Sequence, residues 1–250
     1  MIEEINYLHQ EFERIKDIGW IKERCKGKCS CGYTFEQMLR KEKDNFPVPD
    51  FHNIEIKVMN DHTKTNLHLF NLIPDGDYLF PIDRLLCEIG CPVKDNKNWR
   101  VLYKTFNAKD YTKIIYGKKA IINVDYENRK VELLVYNHKN ENTYIGITWS
   151  FDYIKERLLL KLKYLAFIRA SSCIICGEGY YHYHKIDFYK LKDFDTFINL
   201  INLGIVEITF KIGVHRIGSK YGKVYDHGTD FSIKISNLEL LYDKIFDTTV

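Results

Sequence analysis

Pro49-Asp50-Phe51-His52-Asn53-Ile54-Glu55-Ile56-Lys57 sets two carboxylates and a lysine within one short stretch of chain. Ile54, Ile56 and Val58 alternate with Glu55 and Lys57, the period-two pattern of a strand with one apolar face and one functional face. Glu55 and Lys57 therefore point the same way. Asp50 lies an odd number of residues before Glu55, so a straight strand would aim it at the opposite side. Pro49 and the Phe51-His52-Asn53 stretch instead predict a bend. The bend swings Asp50 round to share a divalent cation with Glu55, and the carbonyl of Ile56 supplies a third oxygen. This donor set suits metal-assisted phosphodiester hydrolysis. Asp50 and Glu55 hold the cation, while Lys57 orients the attacking water and stabilises charge growing on the phosphate. The same residues also describe a salt-bridged surface strand, so the stretch needs its surroundings.

Upstream, Ile5, Leu8, Phe12 and Ile15 mark one face of a helix that closes near Gly19. Thr34-Phe35-Glu36-Gln37 has the form of a capping box and predicts the start of a second helix, with Phe35, Met38 and Leu39 buried and Glu36 in its first turn. From there Glu36 could contact Lys57 and fix its geometry. Downstream, residues 60–115 show weak periodicity apart from a short helix around Pro81 to Ile89, and they read as an insertion of loops and local contacts. Lys119 to Val124 and Arg129 to Tyr136 read as a hairpin extending the sheet begun at Ile54. Ser150 caps a helix with Phe151, Ile154, Leu158 and Leu162 as its apolar positions, and Tyr164 to Ala170 follows as a buried strand.

Gly177-Glu178-Gly179 opens a strand rich in tyrosine and histidine, and Phe194, Phe197, Ile198 and Ile201 form a helix ending at Gly204. Val206, Ile208, Phe210, Ile212 and Val214 make one face of a strand whose other face displays Glu207, Thr209, Lys211 and His215. The order helix, three strands, helix, strand predicts an α/β (α+β) fold, a mixed sheet flanked by helices like the PD-(D/E)xK nucleases, with a second lobe. The boundaries expected are a catalytic lobe over 1–170, carrying the insertion at about 60–115, and a recognition lobe over 171–250.

A chain of 250 residues with 45% hydrophobic and 14% aromatic residues can bury a large core, which excludes disorder and low complexity. The formal net charge is only +3, so any attraction for nucleic acid must be local. Between Thr209 and Lys234 there are five Lys or Arg against two Asp. Arg216, Lys220 and Lys223 in a Gly-rich loop, followed by Asp226-His227-Gly228-Thr229, suit contact with DNA. No apolar run reaches membrane-spanning length, and the acidic amphipathic start is unlike a signal peptide, which leads to an expectation of a soluble, cytoplasmic protein.

Seven cysteines without an export signal are better read as reduced thiols. Cys25, Cys29 and Cys31 with Cys173, Cys176, His182 and His184 could together make a zinc site, but their spacings are irregular and reduced cysteines fit the pattern better. Lys161 and Lys163 could touch phosphate, but lysines on the outer side of an amphipathic helix are usually solvated. Tyr180, Tyr181 and Tyr183 could stack on bases, though strand alternation would send half of those rings into the core. His52 and His62 suit an outer or phosphate contact better than a hard cation.

Several separated segments resemble the MvaI/BcnI family of type II restriction endonucleases, relatives of the nickase MutH, and most closely its MvaI side. They are Gly32-Tyr33-Thr34-Phe35-Glu36, KEKDN at 41–45, PDFHNIEIK at 49–57, WSFD at 149–152, KLKY at 161–164 and YDHGT at 225–229. The resemblance spans most of the chain and implies a Mg²⁺-dependent enzyme cutting double-stranded DNA at a short, near-palindromic sequence. Glu36, Asp50, Glu55 and Lys57 fall on the family's catalytic positions. It further implies a monomer whose two lobes form a cleft around DNA, and a cognate DNA methyltransferase in the same system, without a stable complex. Thr209, Lys211 and Ser232 stand where the MvaI-like pattern has an acid and arginines for reading C and G edges, so the target sequence is not carried over. A MutH-like nickase and a DNA-binding module with a vestigial nuclease site are the competing readings.

Overall fold

The computed structural model describes residues 2–27, 30–39, 48–76, 81–114, 117–137, 139, 141–143 and 146–247. The KEKDN run and Cys29 lie outside them. Along the chain, α1 (Ile2–Asp17), β1 (Ile21–Lys22) and α2 (Ser30–Met38) precede β2 (Ile54–Asn60), the strand of the Glu55-x-Lys57 stretch. There follow β3 (Leu67–Asn71), α3 (Pro81–Ile89), β4 (Cys91–Val93), β5 (Asn96–Phe106) and β6 (Thr112–Lys113). Next come β7 (Lys119–Asp125), β8 (Lys130–Tyr136), β9 (Asn142–Thr143), β10 (Thr148–Ser150) and α4 (Phe151–Lys161). The chain continues through β11 (Tyr164–Ile175), β12 (Glu178–Leu191), α5 (Phe194–Asn202) and β13 (Val206–Val214). It closes with β14 (Val224–Asp226), β15 (Asp230–Ile233), α6 (Leu238–Leu241) and β16 (Tyr242–Asp247). Among the described residues no helix is long and apolar enough to cross a membrane.

Two compact units interleave in sequence, one from Met1–Thr65, Leu158–Lys192 and Tyr242–Val250, the other from Asn66–Arg157 and Asp193–Leu241. A single cut near residue 170 does not describe this division. β11 pairs in parallel with β2, and a parallel pair needs a crossover. Here the crossover carries the whole Asn66–Arg157 segment.

In the first unit the sheet runs β1-β12-β11-β2, with β16 also on β12. Ile54 and Ile56 of β2, Ala166 and Ile168 of β11, and Ile186 and Phe188 of β12 form one face. They pack with Ile5, Leu8, Phe12 and Ile15 of α1 and Phe35 of α2. The α1 stripe is thus the predicted one, and Gly19 beyond its end takes φ +79°, the left-handed conformation that glycine adopts without strain. α2 begins at Ser30, earlier than the capping-box reading, and that reading is corrected. Thr34 lies inside the helix, fully buried, and its Oγ1 accepts a bond from the Arg24 amide at 3.0 Å. A Thr-x-x-Gln spacing cannot distinguish a cap from a mid-helix threonine committed to a neighbouring loop.

The second unit contains two sheets, ordered β10-β8-β7-β6 and β3-β15-β13-β5-β4. β7 and β8 form the expected hairpin, its turn held by the Asn128 amide donating to Asp125 Oδ1 at 2.9 Å. They pair with β10 and not with β2, so the expected extension of the first sheet is corrected. Alternation fixes which side chains face inward, but not which strand lies alongside. Residues 60–115 are also more than loops, since β3 and β5 join the sheet of β13 and β15. β5 escaped detection because its two buried residues, Leu102 and Phe106, share their face with Asn98, Arg100 and Lys104, while Trp99, Val101 and Tyr103 stand on the other, so apolar and polar residues do not alternate. α3 lies where expected. The core of this unit includes Trp149, Phe70, Phe106, Phe210 and Phe231, with Trp149 Nε1 donating to the Leu72 carbonyl at 3.0 Å.

Candidate active site

β2 is the last strand of its sheet, and its outer edge receives the preceding turn. The Phe51 amide donates to the Ile54 carbonyl at 2.9 Å, and the Ile54 amide donates to the Phe51 carbonyl at 2.8 Å. His52, at the corner, takes φ 50°. The expected bend is therefore present, and it brings Asp50 to the strand, where Oδ2 accepts from the Ile56 amide at 3.1 Å. Backbone N–H and C=O of one strand residue leave on the same edge. The Ile56 carbonyl therefore shares the open edge with Asp50.

Glu55 projects to the face opposite α1 and α2 and is 1% exposed. Its Oε1 lies 2.7 Å from Lys57 Nζ and 3.3 Å from Lys161 Nζ. Its Oε2 is buried without a hydrogen-bond partner. Burial pushes the Glu55 carboxyl above the ordinary carboxylate range; Lys57 opposes the shift, Asp50 adds to it and Lys161 opposes it. Two lysines and two carboxylates therefore form one electrostatic group. Lys161, weighed from sequence as a phosphate contact or a solvated helix lysine, was not expected beside Glu55. It is the last residue of α4, and the helical pattern placed it outside the apolar stripe without showing that the strand face lay beside that end.

Glu36 sits on α2, half-buried. Burial first, then Cys31 and other neighbours that include Glu36, raise the Tyr183 phenol, whose hydroxyl donates to the Cys31 carbonyl at 2.9 Å. His62 is exposed. Cys25, Cys31, Cys87, Cys91, Cys173 and Cys176 are free thiols, and burial pushes Cys31 up to about 12. Among the described residues no group of three or more His, Cys, Asp or Glu is placed to hold a metal ion, and Cys29 of the zinc pattern lies outside them.

The residues expected to meet DNA gather in the second unit on β13, β14, β15 and the turn after β13. Thr209 on β13 shares a 2.8 Å hydroxyl bond with Thr105 of β5, and Lys211 pairs with Asp230 at 2.6 Å. Ser232 on β15 is 6% exposed. Arg216, Lys220 and Lys223 are exposed in the turn, with Arg216 3.3 Å from Asp95. His215, Tyr225 and His227 follow one another with ring centroids 4.7 Å apart. With Val214, Arg216 and Asp226 they line a cleft of about 420 Å³. Asp226 Oδ1 accepts from the Gly228 amide at 2.8 Å, which shapes the DHGT corner. Asp230 and Tyr103 were not singled out from sequence, and only strand pairing brings them to this face.

The MvaI/BcnI restriction endonuclease family is matched over residues 9–242. Restriction endonuclease MvaI in complex with its cognate DNA substrate is similar at a TM-score of 0.88 and 30% identity, covering 98% of both chains. MvaI in the absence of DNA is similar at a TM-score of 0.63, with the same identity and coverage. No curated protein matches.

Proposed function

The chain belongs to the MvaI/BcnI restriction endonuclease family and is a type II site-specific DNA endonuclease; on that premise we propose that Asp50, Glu55 and Lys57, assisted by Glu36, form a Mg²⁺-dependent site that cleaves double-stranded DNA at a short, near-palindromic sequence. The observation that carries this reading is the buried Glu55 carboxylate between Lys57 and Lys161, with Asp50 turned onto the same strand.

A divalent cation fits these residues. Glu55 Oε2 is buried and unpartnered, Asp50 and the Ile56 carbonyl share one strand edge, and all three are hard oxygen donors. Asp50, Glu55 and the Ile56 carbonyl would hold it, and when bound it polarises the phosphate and acidifies water. Lys57, anchored at 2.7 Å by Glu55, orients the attacking water and stabilises charge on the phosphate. Lys161 offsets part of the cost of burying Glu55 in its ionised form. Lys161→Ala is expected to lower cleavage about 10–100-fold, with part of the loss recovered by raising Mg²⁺. Single-turnover rates across a Mg²⁺ series measure this.

On this reading the first unit carries the chemistry and the second reads the sequence. Thr209, Lys211, His215, Arg216, Lys220, Lys223, Asp226, His227 and Ser232 are the contacts, supported by the local basic excess and by a polar strand face suited to base edges. One site per chain means that a monomer nicks the two strands in turn. A plasmid time course therefore passes through a nicked circle before linear product. Conversion straight to linear product at every enzyme concentration would contradict the monomer. Because such an enzyme endangers its own host genome, a cognate DNA methyltransferase accompanies it. Robust double-strand cleavage by the purified protein separates this function from a partner-directed nickase.

A further inference from the structure

The turn after β2 carries a second polar group on the face that bears Glu55 and Lys57. Asp61 follows the strand, its amide donating to the Ala170 carbonyl at 2.9 Å, and its carboxylate takes three side chains. Oδ1 accepts from Arg169 Nε at 3.2 Å and lies 3.1 Å from a terminal nitrogen of the same guanidinium. Oδ2 accepts from Ser171 Oγ at 2.8 Å and from His184 Nε2 at 2.9 Å. Lys57 pairs with Phe167 across the parallel ladder and Met59 with Arg169, so Arg169 stands on the face of Lys57, one strand over and two residues further on. Their Cα positions are about 8 Å apart, the rise of roughly two nucleotides along one DNA strand. A bulge brings His184 to the same place. Arg169 pairs with Lys185 and Ala170 with Tyr183, which leaves His184 as the extra residue of β12. Tyr183 can then bury its ring against Phe35 on the helix side while His184 turns to Asp61. Ser171 gives its proton to Asp61 and not to the imidazole, so the three are not an activated nucleophile. A plain surface ion pair needs no such framework, since it contributes little to stability.

We propose that Arg169 grips a DNA backbone phosphate beside the scissile one, with Asp61 holding the guanidinium in place and Ser171 and His184 fixing Asp61, an assignment that rests on Glu55 and Lys57 marking the cleavage site. Asp61 takes the Nε side of the guanidinium and leaves its outer edge, with a fork of N–H donors, for a ligand. The Arg169 side chain is 27% exposed, enough to present that edge. Phosphate matches it in charge and in planar geometry. On charge alone Asp61 would repel DNA, so its place beside Arg169 is that of an anchor. A backbone contact carries no sequence information. Base reading therefore stays with the second unit, and Arg169 sets where along the strand a phosphate meets Lys57.

The test is Arg169→Ala and Asp61→Ala in the full chain, each binding, in Ca²⁺ and over a salt series, a duplex with the sequence that the wild type cuts. Both side chains are partly exposed, so neither truncation opens the core. Arg169→Ala is expected to bind about tenfold more weakly, by the same factor on cognate and unrelated duplexes, with the slope of log affinity against log salt reduced by about one. Arg169→Lys restores the slope but only part of the affinity, because lysine keeps the charge and loses the planar fork. Asp61→Ala also binds more weakly, although it removes a negative charge. Cognate duplexes with a single uncharged methylphosphonate within about three nucleotides of the scissile bond locate the phosphate: one position weakens the wild type and leaves Arg169→Ala unchanged. Wild-type affinity and salt slope in Arg169→Ala overturn the proposal and leave a surface ion pair. Tighter binding by Asp61→Ala overturns the anchoring role. Wild-type cleavage by Lys57→Ala would remove the cleavage site on which the placement rests, whereas an unaffected Arg169→Ala removes only Arg169.

Discussion

Lys57→Ala lowers DNA cleavage at saturating Mg²⁺ by at least about 10³-fold while DNA binding in Ca²⁺ stays within a few-fold of wild type. The expectation follows from where the ammonium sits. It is 2.7 Å from Glu55 Oε1 on the same strand face, 17% exposed, so it can reach a phosphate and a water without leaving its anchor. The residues proposed to grip DNA are others, Arg169 and those from Thr209 to Ser232, so affinity should survive its loss. Alanine also removes the larger of the two lysine effects that hold the Glu55 carboxyl down. The variant should therefore need a higher pH to bind Ca²⁺, a change that a pure loss of water activation would not produce. Single-turnover rates and Ca²⁺ titrations across pH separate the two contributions. A variant that cuts at the wild-type rate removes Lys57 from the mechanism.

Glu55→Gln should abolish cleavage and at the same time stabilise the metal-free protein by about 1 kcal/mol, the trade expected where a site is built at the expense of the fold. The sign comes from linkage. The folded chain holds the Glu55 proton more tightly than the unfolded chain does, because burial outweighs the two lysines. Ionisation of Glu55 therefore costs stability. The metal-free protein is most stable, as far as this group is concerned, below the ordinary carboxylate range, and it loses that stability as pH rises toward the elevated folded value. Glutamine keeps the shape and removes the charge. The gain in melting temperature should appear at neutral pH and fade in acid, and Ca²⁺ should stabilise the wild type but not the variant. Loss of stability in Glu55→Gln at neutral pH would mean that the pairs with Lys57 and Lys161 outweigh desolvation.

The residues proposed to carry the chemistry were legible because they obey local rules. Period two placed Glu55 and Lys57 on one face, Pro49 announced the bend that returns Asp50, and the Phe35 and Phe12 stripes marked the helices that cover the other face. What could not be read is non-local. The hairpin of β7 and β8 was found, but the strand beside it was misjudged, since alternation carries no information about the neighbour. β5 was hidden because apolar residues fall on both of its faces, with Arg100 and Lys104 beside the buried Leu102 and Phe106. Lys161 looks like a solvated helix lysine until α4 is folded against β2. Thr34 mimicked a cap because its hydroxyl serves the Arg24 amide instead.

The most direct test of the account is the digestion of a mapped plasmid with Mg²⁺ by the wild type and by Asp50→Ala, with every product end sequenced. The account predicts that the wild type leaves ends at one short sequence and that Asp50→Ala leaves none. Ends at that same sequence from Asp50→Ala, or no ends from the wild type, would contradict it.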